Sequence, residues 1–175
     1  MSEKFIMTAF GKDRPGIAAD VTEMIYENGC RLEDSAMTRL ADEFTLILLL
    51  SGQEGDTEEI LTRECRRLER EKGLSAFIRP VAAERPVART GFSAQTIRVE
   101  GLDQAGIVYK ISKYLAEKSI NIENLTSKTT SSPQTGAAIY TMKIEALVPD
   151  TISPDSLDRG LDQIGNELNV DITVD

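Results

Sequence analysis

The sequence predicts an α+β protein made of two ferredoxin-like βαββαβ modules, each a four-stranded antiparallel sheet with two helices on one face. Three observations predict this fold in the 175 residues. A glycine-flanked turn motif occurs twice, the same amphipathic helix pattern follows each copy, and further strand and helix patterns complete each half in the same order. That order is the split βαβ plan.

The repeated motif reads GKDRPGI at residues 11–17 and GLDQAGI ninety positions later, at residues 101–107. Extended segments are predicted before it, at residues 4–10 and 95–100. After it, apolar residues recur at offsets of four, seven and eight, which is typical of an amphipathic helix with one buried stripe. The two stripes are Ile17, Val21, Met24 and Ile25, and Ile107, Ile111, Tyr114 and Leu115.

The remaining elements follow in the same order in both halves. Each half continues with two strands, a second helix and a closing strand, and we expect a long hairpin loop at residues 129–136. The second helices are predicted to begin at Asp56 and at Ser153, both good N-cap residues. Three segments result: a first domain at 1–81, a linker at 82–92 that contains Pro86 and Gly91, and a second domain at 93–175.

The composition excludes several classes of function. The formal net charge is −9, and the sequence contains no His. A protein that neutralises phosphates needs a basic face, so direct nucleic-acid binding is not expected. Without His, the usual general base and the commonest metal ligand are missing. Carboxylate pairs, or Ser with Lys, could still do chemistry, but no recognisable constellation groups them, and the two repeats leave no catalytic domain. We therefore expect no catalytic residues, no metal and no cofactor, hence no enzyme, and we expect Cys30 and Cys65 to be reduced thiols.

The location of the protein is also predicted from the sequence. Its first residues lack the apolar centre of a signal peptide, and its apolar runs are too short to span a bilayer. We therefore expect a cytoplasmic protein without a membrane partner.

The repeated turn allows two interpretations. In the structural one, the glycines let the chain turn, and Asp13 or Asp103 caps the following helix. In the functional one, the helix N-terminus meets the carboxylate of a small ligand. A P-loop is excluded despite the spacing of Gly11 and Gly16, because Ile17 and Ala18 stand where it needs Lys and Ser or Thr.

The turns and the residues that follow the first helices resemble the ACT domain, a ligand-binding module of amino-acid metabolism. DRPGI followed by GCRLEDS, and DQAGI followed by SINIENL, carry the likeness. Over the whole chain, and most strongly to Gly52, the sequence resembles the glycine cleavage system transcriptional repressor family. The resemblance implies that an amino acid binds between two modules. The contact residues it implies are Asp13, Arg14, Pro15, Gly16, Ile17 and Arg31, and Asp103, Gln104, Ala105, Gly106, Ile107 and Asn121.

The resemblance implies a non-catalytic regulatory protein that binds glycine or a similar amino acid at module interfaces. It would act on a transcription regulator by protein–protein contact, and we expect a homo-oligomer. Arg31 stands where many such domains have Asn, and it could pair with a ligand carboxylate or with Glu33. Since Asn121 keeps the amide, the second site is favoured. The alternative function is a ligand-independent interaction protein, or a regulatory subunit of an amino-acid biosynthetic enzyme.

Overall fold

The computed structural model describes residues 2–53, 55–81 and 90–175. Contacts divide the chain into two compact units, Met1–Val87 and Ala88–Asp175, here called the N-terminal and C-terminal modules. Most of the predicted linker, residues 82–89, lies outside the described residues. Phe92, which the prediction assigned to that linker, is the first residue of a strand.

The N-terminal module has the predicted order of elements. Its central strands are β1 and β3, and all neighbouring strands are antiparallel in the order β2-β3-β1-β4. The elements are β1 (Ser2–Lys12), α1 (Ile17–Glu27), β2 (Arg31–Leu40), β3 (Glu43–Gln53), α2 (Thr57–Lys72) and β4 (Ser75–Val81).

The C-terminal module repeats this topology with the strand order β6-β7-β5-β8. The predicted fold class is therefore confirmed for both halves. The elements are β5 (Phe92–Leu102), α3 (Ile107–Glu117), β6 (Asn121–Ser131), β7 (Ala138–Pro149), α4 (Pro154–Leu168) and β8 (Val170–Val174).

Each core lies between the helices and one face of the sheet. Because side chains alternate across a strand, every second residue of the central strands enters this core. Phe5, Met7 and Ala9 of β1 are fully buried beside the α1 stripe, all of which is buried as predicted. In α3 the predicted stripe is also buried, except that Tyr114 is half-buried and packs against the core from its edge.

Two local expectations are corrected. The predicted loop at 129–136 begins later, because residues 129–131 continue β6 in register with β7. Asp56 is the N-cap of α2, but its side chain makes no capping hydrogen bond. Ser153 does cap α4, since its Oγ accepts a hydrogen bond from the N–H of Ser156 at 3.3 Å.

Candidate ligand-binding turns

The two glycine-flanked turns connect the central strand of each sheet to the first helix. Each turn is fixed to the adjacent hairpin by one backbone hydrogen bond. The N–H of Asp13 donates to the carbonyl of Asp42 at 2.7 Å, and the N–H of Asp103 donates to the carbonyl of Ala138 at 2.9 Å. The turns are therefore anchored in the same way in both modules.

Gly16 and Gly106 are the N-caps of α1 and α3. Both have left-handed backbones, with φ of 88° and 98°, a conformation that costs little only for glycine. Their carbonyls accept from the N–H groups of Asp20 and Lys110 at 2.9 Å, which closes the first helical turn. The earlier N–H groups have no acceptor within the helix, and together with the helix dipole they favour an anion.

The expectation that Asp13 and Asp103 cap the helices is wrong. The N-cap positions are the glycines, and neither helix has a side-chain capping hydrogen bond. The carboxylate of Asp13 instead lies 3.4 Å from Nη1 of Arg39. Asp103 is exposed and has no side-chain hydrogen bond or ion pair within the described parts of the chain. Of the two carboxylates, that of Asp103 therefore has fewer side-chain partners than that of Asp13.

The first glycine of each motif has a different role. A Cβ on Gly101 would lie 2.6 Å from Cγ1 of Val170, and one on Gly11 would lie 3.0 Å from Cδ2 of Leu74. These glycines let the end of the central strand approach the chain that enters β8 or β4. Part of the repeated motif is therefore explained by packing alone.

The side chain of the residue after each aspartate binds a helix of the same module, Arg14 the first turn of α1 and Gln104 the end of α4. Arg14 Nη2 donates to Oδ2 of Asp20 at 2.5 Å, and Lys72, the last residue of α2, lies 3.1 Å from the other oxygen. The hydrogen bond from Arg14, followed by that from Lys72, lowers the pKa of Asp20. Gln104 in the other module donates to the carbonyl of Leu168, the last residue of α4. Both side chains therefore hold the turn in place.

Pro15, Ala105 and the isoleucines complete the two turns. Pro15 and Ala105 are exposed, whereas Ile17 and Ile107 are buried in the two cores. The isoleucines therefore anchor the helix starts, and the exposed residues leave the N-terminal ends of the helices open.

Arg31 and Asn121 begin β2 and β6, and these strands run parallel to β1 and β5. The turns, by contrast, follow the far ends of β1 and β5. With about 3.3 Å per residue, the nine steps of β2 separate the two ends by roughly 30 Å. Within one module the structure does not bring these residues to the turn, so a site with both groups needs a second module.

The surroundings of Arg31 and Asn121 differ. Arg31 is exposed; Glu33 forms its ion pair with Lys4 at 2.6 Å instead. The hydrogen bond from Lys4 is the main cause of the lowered pKa of Glu33, with smaller contributions from Ser51 and from the charge of Arg31. Asn121 donates a side-chain hydrogen bond to Glu123. The guanidinium of Arg31 therefore makes fewer contacts with neighbouring side chains than the amide of Asn121 does.

Other chemistry is sparse in the described residues. No group of three or more Cys, Asp or Glu side chains there could hold a metal ion. Burial raises the pKa of Cys65 to about 11 and also raises the pKa of Cys30, so both thiols stay protonated at neutral pH. No described helix is long and apolar enough to cross a membrane.

Sequence reasoning missed the charged residues that support the turns. They are Asp20 and Lys72 in the N-terminal module, and Lys110 and Glu167 in the C-terminal module, which also form an ion pair. A signal was present, because each residue lies in the first turn of one helix or the last turn of the other, where charge interacts with the helix dipole. The pairing itself required the fold.

Comparison with known proteins identifies the class. A family model described as the ACT domain matches residues 3–78. Over 61 residues the chain is 39% identical to a UPF0237 protein of Streptococcus mutans, a match that covers 35% of this chain and 69% of that protein. The chain belongs to the ACT-domain family, and the repeated topology makes it a tandem ACT-domain protein.

Further relatives match along nearly the whole chain. The chain is 28% identical over 167 residues to the glycine cleavage system transcriptional repressor of Escherichia coli K12, covering 94% of this chain and 85% of that protein. A crystal structure of an unknown protein from Galdieria sulphuraria matches with a TM-score of 0.82 at 26% identity, over 100% of this chain and 98% of that one. The crystal structure of a proposed glycine cleavage system repressor has a TM-score of 0.74 at 23% identity, over 100% and 97%, which supports the fold alone.

Proposed function

We propose that this protein is a non-catalytic regulator that binds glycine or a similarly small amino acid at its ACT turns. The bound state would alter its contact with a transcription regulator. The observation that carries the proposal is the helix N-terminus in each module, which has a left-handed glycine and no side-chain cap and follows an aspartate in the same turn. The relationship to a glycine cleavage system repressor supports the choice of ligand and role.

The chemistry of the turn suits a free amino acid. The ligand carboxylate would accept hydrogen bonds from the first N–H groups of the helix, and its ammonium group would pair with the aspartate. Such a ligand has little apolar surface, so we expect a dissociation constant in the micromolar to millimolar range, roughly −4 to −8 kcal/mol. Arg31 and Asn121 are assigned as further contacts that a second module contributes at a module interface.

The C-terminal turn is proposed as the tighter site. Asp103 has no ion pair within the described residues, whereas Asp13 shares its charge with Arg39. An aspartate without an ion pair is available to the ammonium group of a zwitterion, which favours the turn of Asp103.

Isothermal titration of the whole protein with glycine, alanine and serine tests the proposal, with acetate as a ligand that lacks the ammonium group. We expect heat with at least one amino acid and much less with acetate. Asp103→Asn keeps the shape of the side chain and removes its charge, so it should weaken binding about tenfold or more. The matched variant Asp13→Asn should have a smaller effect. Absence of binding by every amino acid would contradict the sensing function.

A pull-down with this protein as bait, with and without glycine, tests whether it contacts a transcription regulator and whether the ligand alters that contact. A useful coupling between ligand and partner binding is ~1–3 kcal/mol, or a change in apparent affinity of about 5- to 150-fold.

We also propose that the protein is not an enzyme and that it acts in the cytoplasm. The sequence has no His, and both thiols are held protonated. Turnover of a metabolite by the purified protein would overturn the first of these statements.

A ligand-independent interaction protein is the second candidate, and one observation favours it. All ten residues of the edge strand β2 are exposed, and an unpaired strand edge can recruit a strand of another protein. If the pull-down captures an enzyme subunit, and its binding does not change when amino acids are added, this candidate function replaces the first.

A further inference from the structure

Each sheet has an open face on the side away from its helices. In the N-terminal module the middle of this face carries five large apolar side chains around Thr8, although one exposed sheet face is normally polar. Phe10 is 43% exposed, Ile47 46% and Phe77 56%, and Ile6 and Leu49 lie in the next row towards the start of β1 with partial exposure. The strand register places these five side chains in neighbouring rows, so they form one patch, here called the apolar face.

The open face of the C-terminal module shows that the fold does not require this patch. The positions that correspond in register to Ile6, Phe10, Ile47, Leu49 and Phe77 are Thr96, Glu100, Lys143, Glu145 and Thr173. Three of these five are charged and two are threonine. A contiguous exposed apolar patch on one module alone is typical of a contact surface.

We infer that the apolar face is a self-association surface, on which the same face of a second copy of this chain packs. The charges at its flanks point to a second copy. Asp34 on β2 pairs in register with Leu49, Leu49 with Ile6, and Ile6 with Arg79 on β4. Asp34 and Arg79 therefore stand in one row at opposite edges of the sheet. Neither has an ion-pair partner within the described ranges 2–53, 55–81 and 90–175.

This arrangement is self-complementary under a two-fold axis. Two sheets that pack face to face align within about 30° and interdigitate their side chains. If the axis runs parallel to the strands, β2 of one copy lies over β4 of the other, and β3 lies over β1. Asp34 then faces the partner's Arg79, and Arg79 faces the partner's Asp34. A two-fold contact repeats each interaction, so one dimer gains two ion pairs around an apolar centre.

The size of the apolar face sets the expected strength. Together with its polar flanks it spans four strands about 4.8 Å apart and three rows about 6.8 Å apart, which cover roughly 400 Å² per copy, or about 800 Å² for the dimer. Stable interfaces usually bury about 1,200–2,000 Å². The dimer should therefore be weak and concentration-dependent, with a dissociation constant in the micromolar range or above.

Sedimentation equilibrium of the full chain from about 5 to 500 µM tests the inference. We expect reversible dimers, and Ile47→Glu should weaken them at least tenfold because it places a carboxylate at the apolar centre. The matched control is Lys143→Glu at the corresponding position of the C-terminal module, which should leave the dimer unchanged. A wild-type protein that stays monomeric, or a dimer that Ile47→Glu does not weaken, overturns the inference.

Charge exchange tests the two-fold geometry and keeps the test valid if Ile47→Glu does not fold. Asp34→Arg alone and Arg79→Asp alone should each weaken self-association about tenfold, because like charges then meet twice. The double variant should restore it. An equal mixture of the two single variants should also associate, since every contact in that mixed dimer joins Arg to Asp. Failure of both the double variant and the mixture to associate would overturn the proposed pairing.

Discussion

The two modules make the same contact between their helices with opposite charges. In the N-terminal module, Asp20 in the first turn of α1 pairs with Lys72 in the last turn of α2 at 3.1 Å. In the C-terminal module, Lys110 in the first turn of α3 pairs with Glu167 in the last turn of α4. Only the first arrangement places each charge favourably in the field of its helix dipole. The fold therefore brings the same two positions together in both modules, whereas the sign of the charge at each position differs between them.

The residues beside these pairs differ in the same way. Arg14 reaches Asp20 as a charged donor, but Gln104 reaches the backbone carbonyl that ends α4. The turn of the N-terminal module is therefore held by a network of three charges, and that of the C-terminal module by an uncharged hydrogen bond and a separate ion pair. The difference leaves Asp103 without a partner within the described residues and leads us to favour it as a ligand contact.

The largest expected effect concerns the first glycine of each motif. Gly101→Ala would place a Cβ 2.6 Å from Cγ1 and 3.0 Å from the backbone Cα of Val170. Gly11→Ala would meet Leu74 Cδ2 at 3.0 Å and the carbonyl oxygen of Gly73 at 3.1 Å. We expect Gly101→Ala to lower the free energy of unfolding by about 2–3 kcal/mol and Gly11→Ala by about 1–2 kcal/mol. Urea unfolding of both variants measures this; equal losses would contradict the ranking.

The next expected effect is a pH dependence that involves the N-terminal network. The pKa of Asp20 is lowered from its ordinary value of 3.8, mainly by the hydrogen bond from Arg14. A depressed folded-state pKa gives stability that is present above the unfolded pKa and lost as the pH falls through the folded pKa. The wild type should thus lose stability as the pH falls below about 4, and Asp20→Asn should show a flatter acid limb.

Thermal unfolding of both proteins from neutral to acidic pH checks this prediction. Asp162→Asn is the control, because Asp162 is an exposed residue of α4 with no ion pair in the described part of the chain. If Asp20→Asn and Asp162→Asn change the acid limb equally, the network does not contribute. The pKa values of Glu33 and Glu145 are also lowered, so both variants should still lose some stability at acidic pH.

The sequence predicted the architecture because its signals are local and repeated. The stripe of Ile17, Val21, Met24 and Ile25 is fully buried, and the alternation from Tyr140 to Ala146 faces the core. The site was less predictable, since its geometry depends on contacts between distant segments. The spacing predicts capping by Asp13, but the turn places a left-handed glycine at the N-cap instead. The distance between Arg31 and the turn follows from strand direction, which no local pattern contains.

The smallest expected effect exchanges the charges of the helix-end pairs. Lys110→Glu with Glu167→Lys keeps the ion pair and places both charges favourably for their helix dipoles, so it should raise the stability by about 1 kcal/mol at low salt. Asp20→Lys with Lys72→Glu does the reverse and also places the new ammonium group beside Arg14, so it should destabilise. Thermal unfolding at low and high salt measures both. Because salt screens exposed charges, the gain should shrink at high salt, and a gain that persists there would show that the dipole is not its cause.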